Sequence, residues 1–451
     1  MTARSSRRRP SAAPLTTGRR IFGTWVLVTV VFLVGLIVRV SAFTVPRDIG
    51  PTQTVPVSRW RPSAFTEFLE NDEKIFLALI AQLDAGRGYN LRGNSILNEP
   101  WLAADQYGQA LFFHPPGGIA LFWILHRVAG EAGPALAQLL CFIIFFWSVM
   151  LLGDTVIKPA DAPTMALLAV SAAFTPIMAH VAGRLWLDGP QLAFSTAAWA
   201  AFAHGWARRK TWIVCASGVL LGYACLIKLN AFLILASVVA TGWAVTPRED
   251  RRRFVLAGLL FVGIAALVEL PWTLWQWHLL GSPFPGWAGK PTALLVKSNR
   301  YVYYLTVIRP SWIYLELLPQ VIWTAVPSLV LLGFEWRNRY VRALGLALVV
   351  GIAAVVGADI VLGAIGYAKI LRYAILVTPA TSLLFALVTA TAFRARRDAR
   401  SMTGGKPMVA ALVVLAMAGL TAQVAQSLQT TFVDNAQMDL VQPLTGFRDL
   451  E

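Results

Sequence analysis

The chain has little charge for its length and few cysteines. Only 14% of its 451 residues are charged while 57% are hydrophobic, which is far too apolar for a soluble protein of this size. Cys141, Cys215 and Cys225 lie inside apolar runs and lack the paired spacing of a zinc site or a disulfide framework, so we interpret them as lipid-facing or core-facing residues. The sequence therefore predicts a polytopic membrane protein.

Acidic residues are also scarce, with 23 Asp and Glu against 39 Lys and Arg and a formal net charge of +16. The basic residues form short clusters between apolar runs, so we interpret them as a membrane-topology signal and predict no nucleic-acid partner. The first cluster, residues 1–20, precedes a long apolar run without a small-residue cleavage site, which is typical of an anchor rather than of a removed signal peptide. No internal repeat of roughly 20 to 50 residues is evident, which argues against a repeat array.

The basic clusters predict the number of membrane crossings. A spanning helix needs roughly 20 apolar residues, and an excess of Lys and Arg marks cytoplasmic loops, so an even number of crossings must separate neighbouring clusters. The segment 111–128 breaks this parity, and "HPPGG" at 114–118 disrupts its first turns, so we predict an interfacial helix on the outer surface there. The clusters are at 1–20, 207–210, 247–253, 335–342 and 393–400. About eleven spans are predicted, at 22–43, 134–153, 161–183, 189–206, two within 211–246, 254–277, 312–334, 342–363, 372–393 and 407–424.

The predicted fold class is all-α, with external juxtamembrane helices added to these spans. The predicted organisation is a basic cytoplasmic N-terminus (1–21), a transmembrane domain (22–424) and a short external tail (425–451). The transmembrane domain carries two external loops, 44–133 and 279–311, and the first is long enough for two or three small helices. "LIKLN" breaks the two spans within 211–246, which puts Lys228 at the external membrane face.

Charged residues that border or interrupt the predicted spans fall on the external side. They are Asp188, Lys228, Glu269, Glu316, Asp359, Lys369 and Arg372. Because a charge beside lipid is costly, we expect each to face a polar cavity or to pair with another charge, although any single one could instead staple helices or snorkel. The external stretch "ENDEKIFLAL" (70–79) adds three carboxylates ahead of an apolar run, which we interpret as the lipid-facing side of an interfacial helix.

Cations that bind phosphate, beside a carboxylate that accepts a proton, suit chemistry on an anionic lipid-linked substrate. The pattern alone leaves two alternatives, outer-leaflet chemistry and transport of a lipid-linked or anionic solute. A transporter is expected to place polar residues near the midplane and on both sides, often in paired repeats, so the one-sided charges favour an enzyme. A structural scaffold would leave the acidic loop unexplained.

Five stretches occur in this order between residues 70 and 380: "NDEKIFLALIAQLDAGRGYNL", "FFHPPGGIALFWIL", "GRLWLDGPQLAF", "GVLLGYACLIKLNAFLIL" and "KILRYAILVTP". Together they resemble the GT-C glycosyltransferases of the protein-mannosyltransferase and aminoarabinose-transferase-like superfamily. The resemblance implies an integral membrane enzyme that transfers a sugar, usually with inversion, from a polyprenyl-phosphate donor on the non-cytoplasmic side. The acceptor would be a lipid, a glycan or a protein.

The resemblance also implies roles for individual residues. Asp72 would be the general base, and Glu73 would orient the substrate or support the base. The implied substrate-binding residues are His114, Arg184, Asp188, Lys228, Lys369, Arg372 and Tyr373. Of these, Lys228 and Arg372 with Tyr373 are the candidates for the carrier phosphate, unless the cations only anchor at lipid headgroups. His114 could instead be a helix N-terminal residue that hydrogen-bonds the external loop.

Two points depart from the superfamily pattern or are left open by it. Phe76 stands where the superfamily often has Tyr, so any hydroxyl role at this position is lost. Metal use is undecided, because several external carboxylates could hold a divalent cation while no His/Asp spacing resembles a ligand set. The pattern does not specify the sugar or the acceptor.

Overall fold

The computed structural model describes residues 15–44, 47–48, 54–55, 71–98, 115–157, 160–280, 318–363, 371–398 and 406–434. Its α-helices are α1 (Leu15–Ala42), α2 (Asn71–Asp84), α3 (Gly117–Ala129), α4 (Gly133–Val156), α5 (Ala162–Ala173), α6 (Pro176–Ala182), α7 (Asp188–Ala207), α8 (Thr211–Ile227), α9 (Ile234–Val245), α10 (Arg251–Leu280), α11 (Leu318–Val321), α12 (Ala325–Phe334), α13 (Arg339–Gly363), α14 (Thr378–Asp398) and α15 (Lys406–Gln429). The 3₁₀ helices are Ser95–Asn98, Gly130–Ala132, Leu229–Leu233, Arg248–Asp250 and Leu371–Val377, and a π-helical turn covers Thr430–Asp434. The predicted all-α class is therefore confirmed.

Two very short strands stand beside the helices. Arg47–Asp48 (β1) pairs antiparallel with Thr54–Val55 (β2), so the first predicted external loop holds a small ribbon that the all-α prediction did not include. Strands of two residues bury too little side-chain surface to make a core of their own.

Within the described ranges, six helical stretches are long and apolar enough to cross a membrane. They are Phe22–Ala42, Gly117–Val156, Arg248–His278, Arg339–Ala358, Ala374–Arg394 and Pro407–Phe432. Three shorter apolar helices, Ala162–Ala173, Thr211–Ile227 and Leu229–Val245, coincide with further predicted spans. The protein is thus a polytopic membrane protein, and the count of eleven spans stays a prediction.

Several predicted spans are interrupted helices rather than continuous ones. The predicted span 161–183 is split between Ala173 and Pro176, because proline has no N–H to continue the helical hydrogen-bond ladder and is accommodated in the first turn of α6. The break predicted at "LIKLN" is confirmed, since α8 ends at Ile227 and Lys228 is extended, with φ −156° and ψ 121°. The span 312–334 is divided between α11 and α12.

The buried side-chain amide of Gln423 hydrogen-bonds the backbone at two of these breaks. Gln423 of α15 donates from Nε2 to the carbonyl oxygen of Ser171 at 2.8 Å, and its Oε1 accepts from the Thr324 N–H at 3.0 Å. Ser171 lies near the end of α5 and Thr324 precedes α12, so one side chain binds the backbone at both interruptions. Helix breaks inside a membrane domain need such partners because no water is present to hydrogen-bond the backbone.

Two ion pairs engage residues of the predicted cytoplasmic clusters. Arg209 Nη2 lies 3.9 Å from Asp250 Oδ2, which connects the clusters 207–210 and 247–253. Arg394 Nη1 lies 3.2 Å from Asp161 Oδ2, and Asp161 caps α5 by accepting from the Thr164 N–H. Asp188 begins α7 and Arg209 lies two residues after its end, so Asp188 is at the opposite end of this helix from the Arg209–Asp250 pair.

The stretch 71–98 begins with helix α2, followed by a loop. The predicted turns in "AGRGYNLRGN" are confirmed, since Gly86, Gly88 and Gly93 have φ of 68°, 82° and 71°, a region that favours glycine. The lipid-facing interpretation of "IFLAL" is wrong: Ile75, Phe76 and Leu79 are at most 8% exposed and belong to the protein core. They repeat at helical spacing on the side of α2 that packs against α3, so protein rather than lipid covers them.

Candidate functional site

The site is built on the first turn of α2, which holds Asp72 and Glu73. A helix N-terminus favours negative charge because its first backbone N–H groups have no helical partner. The Glu73 side chain is fully buried, and its Oε1 accepts a hydrogen bond of 3.0 Å from the backbone N–H of Leu185. Asp72, one position earlier, is only partly buried. The two carboxylates therefore differ in environment, and Asp72 is the more accessible one.

The segment 183–187 joins α6 to α7 and lies directly against Glu73. It presents Arg184, whose buried guanidinium carbon lies 5.2 Å from the centroid of the Trp186 ring. Trp186 in turn meets the His180 ring edge to face, with centroids 4.9 Å apart. These ring contacts fix the orientation of the buried Arg184 side chain.

A buried ion pair joins the start of α7 to the break after α8. Lys228 Nζ lies 2.7 Å from Asp188 Oδ1, and the two side chains are 7% and 2% exposed. A second contact joins the same two segments, since Gln191 Nε2 donates to Asn230 Oδ1 at 2.7 Å. The expectation that charges predicted on the external side pair with each other is therefore confirmed for Asp188 and Lys228.

The N-terminus of α3 closes on the same region. Gly117 is so close to the end of α8 that a Cβ there would lie 2.8 Å from the Leu226 carbonyl oxygen, and a Cβ on Gly118 would lie 2.5 Å from Leu187 Cδ2. The Tyr223 hydroxyl donates to the Gly117 carbonyl oxygen at 3.0 Å. Gly117 is thus required by the close approach of its backbone to that of Leu226, whereas Gly118 packs against the Leu187 side chain.

The far end of α2 is also fastened to α3. Asp84 Oδ1 lies 3.3 Å from both Arg127 Nη1 and Trp123 Nε1, and its Oδ2 lies 3.6 Å from His126 Nε2. Partial desolvation raises the pKa of the Asp84 carboxyl, but the hydrogen bonds from Arg127 and Trp123 and the charges of Arg127 and His126 outweigh it. The pKa of Asp84 therefore lies below its ordinary value.

The structure brings together five of the predicted site residues: Asp72, Glu73, Arg184, Asp188 and Lys228. His114 and Lys369 lie outside the described residues, as do loop 279–311 from residue 281 onward and the side chains of Arg372 and Tyr373. The backbone of the last two belongs to the 3₁₀ helix Leu371–Val377.

Sequence reasoning missed residues that build the site without carrying charge. They are Gln138, His180, Trp186, Gln191, Tyr223 and Asn230. Gln138 had a signal, since an amide inside an apolar helix needs a polar partner. Gln191 lies three residues after Asp188, and Asn230 lies two residues after Lys228. This spacing is a signal for a second contact between the same two elements. No comparable signal marks His180.

Among the described residues, no group of three or more His, Cys, Asp or Glu side chains is arranged to hold a metal ion. The site contains two buried cations, Arg184 and Lys228, and three carboxylates, Asp72, Glu73 and Asp188. Such groups can bind an anion and accept a proton.

Comparison with known proteins gives a clear result for the fold. No protein-family model matches the chain, and no curated protein does. ArnT from Cupriavidus metallidurans, solved bound to undecaprenyl phosphate, superposes with a TM-score of 0.54 at 15% identity over 91% of this chain and 76% of ArnT. The oligosaccharyltransferase AglB from Archaeoglobus fulgidus, solved with an inhibitory peptide and a dolichol-phosphate, superposes with a TM-score of 0.54 at 12% identity over 90% of this chain.

An oligosaccharyltransferase of Archaeoglobus fulgidus in complex with Zn and sulfate superposes with a TM-score of 0.52 at 14% identity over 89% of this chain. The chain spans 53% of that protein and 56% of AglB in the dolichol-phosphate complex. ArnT and AglB are both GT-C glycosyltransferases, and this chain therefore has the GT-C fold.

Proposed function

We propose that this protein is a membrane glycosyltransferase that takes a sugar from a polyprenyl-phosphate donor and transfers it to an acceptor on the extracytoplasmic side. The observation that carries the proposal is the hydrogen bond from the Leu185 N–H to Glu73 Oε1. It holds the acidic turn of α2 against the segment that leads to Asp188 and Lys228. A partly exposed carboxylate thus stands at the edge of a buried, charged cluster.

The proposed reaction is a displacement at the anomeric carbon of the sugar. The acceptor oxygen forms the new bond while the bond between the anomeric carbon and the phosphate oxygen breaks, with inversion. Asp72 takes the proton of the acceptor, and the carrier leaves as a polyprenyl phosphate. A phosphate neutralised by cations is a good leaving group, so no strong general acid is needed.

In this proposal the remaining residues bind the donor or position the groups that react. Glu73 positions Asp72 indirectly, because it anchors the first turn of α2 that carries both residues. Lys228, together with Arg372, Tyr373 and Lys369, would contact the carrier phosphate, while Arg184, Asp188 and His114 would contact the sugar or hold the external loop. The domain organisation predicted from charge parity, with a cytoplasmic N-terminus and an external site, belongs to the same proposal.

The likeness to ArnT and AglB supports the choice of donor, because these proteins were solved with undecaprenyl phosphate and dolichol-phosphate. The clustering of Asp72, Glu73, Arg184, Asp188 and Lys228 at one end of the bundle supports an enzyme over a transporter, which would need polar groups along a path through the membrane. The sugar and the acceptor are left to experiment.

The test is transfer of labelled sugar from a panel of polyprenyl-phosphate sugars by the purified protein, followed by product analysis. We expect the wild type to consume one donor and Asp72→Asn to lower the rate by about 10²- to 10⁴-fold, the usual contribution of a general base. Asp84→Asn, at the opposite end of the same helix, is the matched control and should keep most of the rate.

Two outcomes contradict the proposal. One is a folded Asp72→Asn variant with the wild-type rate. The other is a wild-type protein that consumes no donor but moves the labelled lipid between leaflets of a proteoliposome, which would indicate the transporter alternative.

A further inference from the structure

One buried polar side chain in α4 is not accounted for by the roles assigned above. Gln138 is 1% exposed and lies in a helix that is otherwise almost wholly apolar. Its Nε2 donates two hydrogen bonds, to the carbonyl oxygen of Arg184 at 2.9 Å and to that of Trp186 at 2.6 Å. Both Nε2 hydrogens are therefore used. The opposite amide orientation would set an oxygen against two carbonyl oxygens, so the chemistry assigns the nitrogen to this position.

The two carbonyl groups belong to the same short segment that binds Glu73. Residues 183–187 are turn and irregular structure between α6 and α7, so the carbonyl groups of Arg184 and Trp186 lie outside both helices. The N–H of Leu185, between them, donates to Glu73. Three consecutive residues are thus held by two side chains, one from α4 and one from α2.

The Gln138 amide lies directly against the backbone at the start of α7, so a side chain there would require the amide to move. A Cβ on Gly189 would lie 2.5 Å from Gln138 Oε1. Within the described residues this Oε1 accepts no hydrogen bond, so the amide contributes here as a double donor. The glycine that follows Asp188 is therefore explained by the position of Gln138.

We propose that Gln138 is a positioning residue, which fixes the backbone of 184–186 and through it the placement of Glu73 and the start of α7 with Asp188. The effect on turnover rests on the proposed glycosyl transfer, whereas the effect on the backbone does not. Loss of the two donors should let the segment move, and small displacements of a site commonly lower turnover strongly.

The experiment compares Gln138→Met with Gln423→Met in the full-length protein in nanodiscs. Both changes keep the side-chain volume nearly constant and remove a buried amide that binds backbone, but Gln423 contacts Ser171 and Thr324 rather than the site. The first measurement is hydrogen–deuterium exchange of the peptide that contains Leu185. We expect faster exchange in Gln138→Met and wild-type exchange in Gln423→Met. Equal exchange in both variants would overturn the proposal.

The second measurement is turnover per folded protein, with the donor that the wild type consumes. Gln138→Met should lower kcat about 10- to 100-fold, while Gln423→Met should leave it near the wild-type value at comparable thermal stability. If the wild type consumes no donor while exchange at Leu185 still responds to Gln138→Met, the proposed function fails and the positioning role stands. If the wild type is active and both variants turn over equally, the positioning role fails.

A third variant tests the contact itself. Gly189→Ala should accelerate exchange at Leu185 in the wild-type background, because the new methyl group displaces the Gln138 amide. In a Gln138→Ala background the same change should have little further effect, since the clashing atom is gone. Additive effects of the two substitutions would overturn the contact.

Discussion

Lys228 and Asp188 form an ion pair of 2.7 Å between Nζ and Oδ1, across 40 residues of sequence and almost entirely out of contact with solvent. Lys228 is extended at the break after α8, and Asp188 begins α7, so the pair ties two irregular points of the backbone together. A lysine that is proposed to bind phosphate is therefore already engaged by a carboxylate. We expect the carrier phosphate to approach this pair rather than an isolated ammonium group.

Removal of one partner of this pair should be costly. Lys228→Met leaves the Asp188 carboxylate buried without its cation, and we expect a loss of about 3–5 kcal/mol in the free energy of unfolding. The double variant Lys228→Met with Asp188→Leu should recover much of this stability, because no uncompensated charge is left. Thermal unfolding in detergent measures both effects. A single variant as stable as the wild type would show that the pair contributes nothing.

Glu73 should tolerate an isosteric change better than truncation. Glu73→Gln keeps an oxygen that can accept from the Leu185 N–H, whereas Glu73→Ala leaves that buried donor without this acceptor, at a cost of about 1–3 kcal/mol. We therefore expect a clearly lower thermal midpoint for Glu73→Ala than for Glu73→Gln. The prediction fails if the two variants unfold at the same temperature.

The contact between Asp84 and α3 should depend on pH. Its folded pKa is lowered, so its stabilising contribution is present above the ordinary aspartate value of about 4 and is lost as pH falls through the folded value. Asp84→Asn should lower the thermal midpoint at pH 7, and the difference from the wild type should shrink as pH falls below about 4. A pH-independent difference would contradict an electrostatic origin.

The predicted sidedness can be tested by cysteine labelling. Arg87 is exposed in the loop after α2, and Arg209 is exposed at the opposite end of the bundle, beside Asp250. In a background without the three native cysteines, Arg87→Cys should react with an impermeant maleimide on intact cells. Arg209→Cys should react only after permeabilisation. The reverse pattern would invert the predicted topology and move the site to the cytoplasm.

Much of the architecture was predictable because its causes are local. Apolar length predicted the helices, and the break at Lys228 and the turns at Gly86 and Gly88 were predicted correctly from residue type. The break at Pro176, inside the predicted span 161–183, was not predicted, although the missing N–H of proline accounts for it. The orientation of α2 was predicted wrongly. Its apolar positions can be buried by lipid or by protein, and hydropathy alone does not distinguish the two.

The candidate site was likewise predictable only in part. Its acidic and basic residues were identified from the sequence, because a charged side chain near lipid is costly unless it faces a polar cavity or pairs with another charge. The partners of these residues were not identified. Gln138 looked like one polar residue in an apolar helix, and Leu185 like any leucine, yet together with Glu73 they determine the backbone on which the site rests.

The sequence by itself determined that this is a helical membrane protein with charged residues gathered on one predicted side, because span length, proline and charge act over a few residues. The tertiary structure alone decided which of those charges meet. Glu73 reaches a backbone 112 residues away, Gln138 one 46 residues away and Lys228 a carboxylate 40 residues away. Such pairings depend on how interrupted helices pack against each other, and hydrophobic periodicity carries no information about the choice of neighbour.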